Sequence, residues 1–136
     1  MKRLLSLIAA VFLTAAVAIN AAGDGVAHID FDKKSHDFGT IDEKGGAVRC
    51  EFEFTNTGDA PLAIISATAS CGCTRPIFPK EPVKPGKKGV IKVTFLPDGH
   101  PGEFTKDVKL RTNAKGQKRV TLKITGVVVP APKEKK

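Results

Sequence analysis

Two of the three cysteines in this 136-residue sequence flank a single glycine, in the run Ser70-Cys71-Gly72-Cys73-Thr74. Thiols so spaced have three chemistries open to them. They can bond to each other, which needs Cα atoms within about 7 Å; a bent Cys-Gly-Cys reaches that separation and an extended one barely does. Gly72, lacking a Cβ, eases such a turn. A ring this small is expected to be strained, and strained disulfides are the more easily reduced, hence labile or redox-active. Alternatively, one of the two pairs with Cys50 as a staple across the fold, worth about 2–4 kcal/mol, and leaves a thiol free. In the third chemistry both thiolates hold a soft ion such as Cu or Zn. Two sulfurs do not fill a tetrahedral site, so His28, His36 or His100, or a second chain, must complete it.

The third thiol reads differently. In Val48-Arg49-Cys50-Glu51-Phe52-Glu53-Phe54-Thr55 the even positions are apolar and the odd ones polar. Successive strand side chains point to opposite faces, so Cys50 shares a buried face with Val48, Phe52 and Phe54 and serves as a small hydrophobe in the core. The histidines have plain roles open to them too. His36 precedes Asp37-Phe38-Gly39 and can order that turn, His100 sits in the turn-rich Pro97-Asp98-Gly99-His100-Pro101-Gly102, and His28 lies near the start of the expected mature chain. No Ser-His-acid or Cys-His set can be assigned, and neither a phosphate-cradling glycine loop nor an HExxH run is present. Glu51 and Glu53 stand two apart on the wet face of one strand, which is patterning before it is catalysis. No enzymatic activity is expected.

The elements that must position these residues are strands. Val90 to Phe95 alternates, with Ile91, Val93 and Phe95 on one side. Phe104, Val108 and Leu110 share a face that Lys106 interrupts, as a bulge or an edge would. Val120, Leu122, Ile124 and Val128 alternate with Arg119, Thr121, Lys123 and Thr125. Leu62 to Ala69, Ile29-Asp30-Phe31 and Phe38-Gly39-Thr40-Ile41 complete about seven strands separated by turn residues, the pattern of an antiparallel sandwich of two sheets. Prolines recur at every third position from Pro76 to Pro85. That is the polyproline II period, read here as a stiff connection crossing between the sheets.

Compartment follows from the N-terminus. Lys2 and Arg3 precede an apolar run from Leu4 to Ile19, broken only by Ser6 and Thr14, and Ala16-Val17-Ala18 or Asn20-Ala21-Ala22 offers a small-residue cleavage site. This is the order of a secretory signal, and a run of about 16 residues is short for a bilayer span of roughly 17–25. Residues 1–22 are therefore expected to be a cleaved signal peptide, 26–129 the domain, and 130–136 a Pro/Lys tail. The expected localisation is secreted, periplasmic or extracellular, with no membrane span after cleavage. Removing the signal takes two cations and no acid, so the formal charge falls from +8 to +6. Lys and Arg are scattered along the chain, Tyr and Trp are absent, and nucleic acid is not an expected partner.

Several of these pieces together resemble the bacterial domain-of-unknown-function 1573 family. They are Phe38-Gly39-x-Ile41, Phe52-x-Phe54-x-Asn56-x-Gly58, Pro61-Leu62, Ser70-Cys71-Gly72-Cys73-Thr74, Pro85-Gly86 and Ile124-x-Gly126-Val127. The likeness runs from about residue 29 to about residue 129. It implies an immunoglobulin-like β-sandwich, exported in bacteria, with no established activity. Hydin-type and major-sperm-protein-like domains share the less specific pieces, and by analogy bind and assemble other proteins. Only Cys71, Gly72 and Cys73 match the family's distinctive motif. The combined expectation is an all-β, single-domain, non-enzymatic module that binds a protein or an envelope component and carries no cofactor. The alternative is thiol-redox or soft-metal handling through Cys71 and Cys73, with His36 and His100 as further ligands.

Overall fold

The computed structural model describes residues 25–131. The expected signal at residues 1–22, and the tail from residue 132 onward, lie outside the described residues. Eight strands follow in order: β1 (Ile29–Phe31), β2 (Ser35–Asp42), β3 (Val48–Asn56), β4 (Ile64–Ala69), β5 (Thr74–Ile77), β6 (Lys88–Phe95), β7 (Gly102–Thr112) and β8 (Arg119–Val129). They form two four-stranded sheets, ordered β1-β3-β6-β5 and β2-β8-β7-β4. There is no helix among the described residues, and hence none long and apolar enough to cross a membrane.

Period-two alternation builds the core as it should. Phe52, Phe54, Ile91, Val93 and Phe95 from the first sheet, and Val108, Leu110, Leu122 and Ile124 from the second, are fully buried. Phe95 stacks on Phe104 across the sandwich at 4.1 Å between ring centroids. Two glycines make room for rings. A Cβ on Gly126 would lie 2.8 Å from the Phe104 ring, and one on Gly89 would overlap the ring of Phe54.

Four details differ from the strand pattern read in the sequence. The eighth strand is β5, hidden because Pro76 sits inside it. Its pairing with β6 matches Pro76 to Val93, and proline is tolerated in an edge strand whose N–H would face outward. The proline-rich stretch therefore does not cross between sheets: β5 and β6 belong to the same one, and the crossing is made by Ser70–Cys73. Lys106 marks no bulge, since β7 and β8 stay in register from Gly102 to Arg111. It lies beyond the end of β4, whose last partner is Val108, so β7 has one neighbour there. Finally, one pairing is parallel, β2 with β8, and it slips between Asp37 and Thr40.

Asn56 joins these parts. It is wholly buried at the end of β3. Its Nδ2 donates to the carbonyls of Ala60 at 2.7 Å and Val83 at 2.9 Å. Its Oδ1 accepts from Gly58 N at 3.0 Å and His28 N at 3.4 Å. A buried amide with both ends satisfied is specific, and its loss leaves partners unpaired. Gly58 is required beside it, because a Cβ there would overlap the Val26 carbonyl. Asn56→Ala is expected to lose about 2–4 kcal/mol, seen in thermal unfolding as a fall of roughly 10–20 °C. Asn56→Asp, which turns the donor end into an acceptor facing two carbonyls, should behave alike. A loss below about 1 kcal/mol in both would remove Asn56 as the hub.

Candidate functional site

The chain leaves the second sheet at Ala69 and enters the first at Thr74, and the four residues between are the Cys-Gly-Cys turn. Backbone bonds hold both ends: Ser70 N donates to Asp107 O at 3.1 Å, Thr74 N to Cys71 O at 3.1 Å and Leu96 N to Cys73 O at 2.8 Å. Bending the segment this way brings the Cα atoms of Cys71 and Cys73 to 5.2 Å, and their sulfurs are bonded. No pairing with Cys50 is formed; that thiol is free and buried. A disulfide closing so short a loop removes little chain entropy from the unfolded state, so it is no staple of the fold. Cys73 is buried and Cys71 half-buried. Nor does the turn demand glycine between them: Gly72 has no positive φ, and a Cβ there would meet nothing within 4 Å.

His100 completes the cluster. The two Sγ atoms and a ring nitrogen of His100 all lie within 4.8 Å of one another. The turn carrying it is tied down by Lys44 Nζ to Asp98 Oδ1 at 2.6 Å, Gly99 N to Glu43 Oε2 at 3.1 Å and His100 N to Pro97 O at 3.0 Å. Among the described residues His36 belongs to no such group. It lies on β2 with Lys33 Nζ 2.8 Å from its Nδ1 and its ring edge-on to Phe38. Burial first, and then the Lys33 charge, lower its pKa. His28 contributes backbone bonds beside Asn56 and is not a ligand candidate. Sequence distance gives no hint that His100, 27 positions beyond Cys73, is the histidine the fold brings to the cysteines.

Four strands lie at sheet edges, and three of them are guarded. Loop residues cover β1, with Gln117 Oε1 accepting from Ile29 N at 3.1 Å and Lys115 N donating to Ala27 O at 3.0 Å. The β2 edge carries exposed Asp37 and Asp42 and the bend at Gly39, whose φ is +68°. The outward-facing backbone positions of β5 are Thr74, whose N–H is already bonded to Cys71 O, and Pro76, which has none. Charges, bends, proline and covers are the usual protections of a free edge. The fourth edge, β4, reads Ile64-Ile65-Ser66-Ala67-Thr68-Ala69, with neither charge nor proline. Ser70 bonds Asp107, so by alternation Ser66 and Thr68 bond β7, while the backbone groups of Ala67 and Ala69 face outward. Beside this edge, on the outer face of the sheet, Lys109 stands opposite Thr68, and Arg111 is paired directly with Arg119.

A family model described as "Protein of unknown function (DUF1573)" matches residues 29–128. The chain belongs to the DUF1573 family. Among curated proteins none matches it in sequence. Solved structures share the fold of this DUF1573 domain at low identity. A protein of unknown function from Porphyromonas gingivalis W83 superposes with a TM-score of 0.63 at 17% identity, over 76% of this chain and 46% of that one. The PapD-like domain 7 of human CEP192 gives 0.59 at 15%, over 79% and 89%. The periplasmic chaperone SfaE gives 0.51 at 12%, over 77% and 58%. The DUF1573 chain thus spans about half the length of the Porphyromonas protein. These likenesses bear out the immunoglobulin-like sandwich.

Burial, aided by Glu51 and opposed by Lys33, pushes the Cys50 thiol from its ordinary value near 9 up to about 11. A raised thiol pKa favours the folded state fully below the unfolded value. That contribution is lost as pH rises through the interval from about 9 to about 11, because the unfolded chain releases its proton first. A thiol-alkylating reagent at neutral pH should therefore label no cysteine in the native protein and one after unfolding. Unfolding in reductant should expose three. Cys50→Ala should flatten the alkaline fall in stability. Rapid labelling of the native protein would contradict the buried, protonated thiol.

Proposed function

We infer that this chain is an exported, non-enzymatic binding module that accepts an extended segment of a partner protein along β4. The observation that carries the reading is the β4 edge, the one member of four edges with neither charge nor proline, its one irregularity confined to the start of the strand between Ile64 and Ser66. An added strand gains main-chain bonds from Ala67 and Ala69, and its side chains alternate between two environments. One row meets the half-buried flank of the core, where Ala67 and Cys71 pack. The other meets Ser66, Thr68 and the cations Lys109 and Arg111. The partner segment fitted to that edge alternates apolar and acidic residues. Ile65, at 55% exposure, adds an apolar contact at the start of the strand.

Export is supported by the charge, apolar run and small-residue order of residues 1–22, and by a disulfide, which suits an oxidising compartment. Either a periplasmic or an extracellular location fits, and the partner is a protein or an envelope component bearing such a segment. The alternative, redox or metal work through Cys71 and Cys73, requires the disulfide to open first.

Immobilised mature protein should capture a partner from an envelope extract. Ala67→Pro, which removes an outward N–H and no ladder bond, should cut that capture about tenfold, the equivalent of about 1.4 kcal/mol, with the sheet spectrum retained. Ile65→Lys gives a second test should the proline disturb folding. Capture of nothing above background, or equal capture by wild type and both variants, overturns the β4 reading.

A further inference from the structure

We propose that the reduced Cys71-Gly72-Cys73 turn, together with His100, forms a three-ligand site for a soft monovalent cation of the Cu(I) class. The proposal rests on the crossover alone and stands apart from the β4 edge. Its basis is the convergence of two sulfurs and one imidazole nitrogen within 4.8 Å, from two turns that meet at the end of β6. One turn is pinned through Leu96 N to Cys73 O, at the end of β6. The chain continues from Leu96 directly into the other, which Glu43 and Lys44 clamp through Gly99 and Asp98. A single strand end thus positions all three ligand atoms.

The donor set decides the ion. Thiolates suit both Cu(I) and Zn, but zinc on three protein ligands still needs a fourth from water or substrate, whereas Cu(I) is satisfied by three, the number the cluster offers. With metal–sulfur and metal–nitrogen distances of about 2.3 and about 2.0 Å, a trigonal arrangement sets its ligands about 3.7–4.0 Å apart. The ring nitrogen needs to move by only about 1 Å, which an exposed side chain on a turn can do, and the freed sulfurs part to match. The surroundings suit the thiolates. Cys73 N donates to Cys71 Sγ at 3.0 Å, and the Thr74 hydroxyl lies 3.8 Å from Cys73 Sγ. Donors aimed at sulfur favour the anionic ligand form. Burial of Cys73 shields one side of the ion, and His100 closes the exposed side.

Loading is gated by the disulfide. A dithiol donor, protein-borne or small, passes two electrons and two protons to the Cys71–Cys73 bond and leaves as its own disulfide. The two thiols so formed release their protons to solvent as the cation binds their sulfurs. While the sulfurs remain bonded to each other they lack the thiolate charge that holds the ion, so the oxidised chain does not load.

The test uses the mature protein, reduced by a phosphine, desalted without oxygen, and titrated with Cu(I) against a chromogenic Cu(I) chelator. Reduced wild type should take one Cu(I) per chain, releasing protons and gaining thiolate-to-copper absorption in the ultraviolet, and oxidised wild type none. Cys71→Ser should abolish binding. His100→Ala, a change at an exposed turn position, should weaken it about tenfold or more, the equivalent of about 1.4 kcal/mol. Cys50→Ala should leave it unchanged. Failure of the reduced chain to compete with the chelator overturns the site, as does equal loading of the oxidised chain. Wild-type affinity in His100→Ala removes the third ligand and with it the proposal. A reduced chain that loses its sheet spectrum would equally sink it, since only the fold brings His100 to the cysteines.

Discussion

The hydrogen bonds of one buried amide hold the first sheet in register. Asn56 closes β3, and its own backbone exchanges bonds with the connection leading into β6, through Asn56 N to Lys87 O and Gly86 N to Asn56 O. Its side chain meanwhile satisfies His28 N, just before β1, and the loop at Val83. With that end set, β6 runs as a straight register of eight paired residues along β3. Its far end arrives at Phe95 and Leu96, where the second sheet is met through Phe104 and the cysteine turn through Cys73. The position of the sulfurs is therefore a distant consequence of a single Asn at the opposite end of the strand pair.

Much of the sandwich is legible in the chain because the sheets are half-buried, and half-burial writes itself as alternation. The β3, β6 and β8 segments were readable residue by residue, and so was the inward placement of Cys50. β5 was not. It is four residues long, carries a proline, and owes its existence to pairing with β6, a tertiary fact that no local pattern records. For the same reason the prolines, whose period suggests a stiff rod, read in the sequence as the crossing between sheets, when four residues around the cysteines suffice. The choice among histidines is the sharpest case. His36 and His100 are equally plausible as letters, and only the meeting of two turns at the end of β6 separates them.

The two functional readings draw on different kinds of residue. At β4 the relevant property is backbone polarity left unpaired beside a charged outer face, and the side chains matter chiefly by failing to block it. At the crossover the property is side-chain chemistry, with backbone amides in support. The two lie next to each other, since Ala69 ends one and Cys71 begins the other. A strand bound along β4, as proposed, would thus pass close to the sulfurs.

The parallel pairing of β2 with β8 carries a consequence for the order of events in the life of the chain. β2 lies among the first strands made, and its neighbour in the sheet is the last. Neither sheet edge nor core can be completed there until the C-terminal strand has emerged, and so non-local a closure is slow by nature. A chain built this way stays open, and so threadable, for as long as its end is missing. Under the proposed export, in which the chain passes a membrane as a thread before it folds, that delay would be an asset written into the topology.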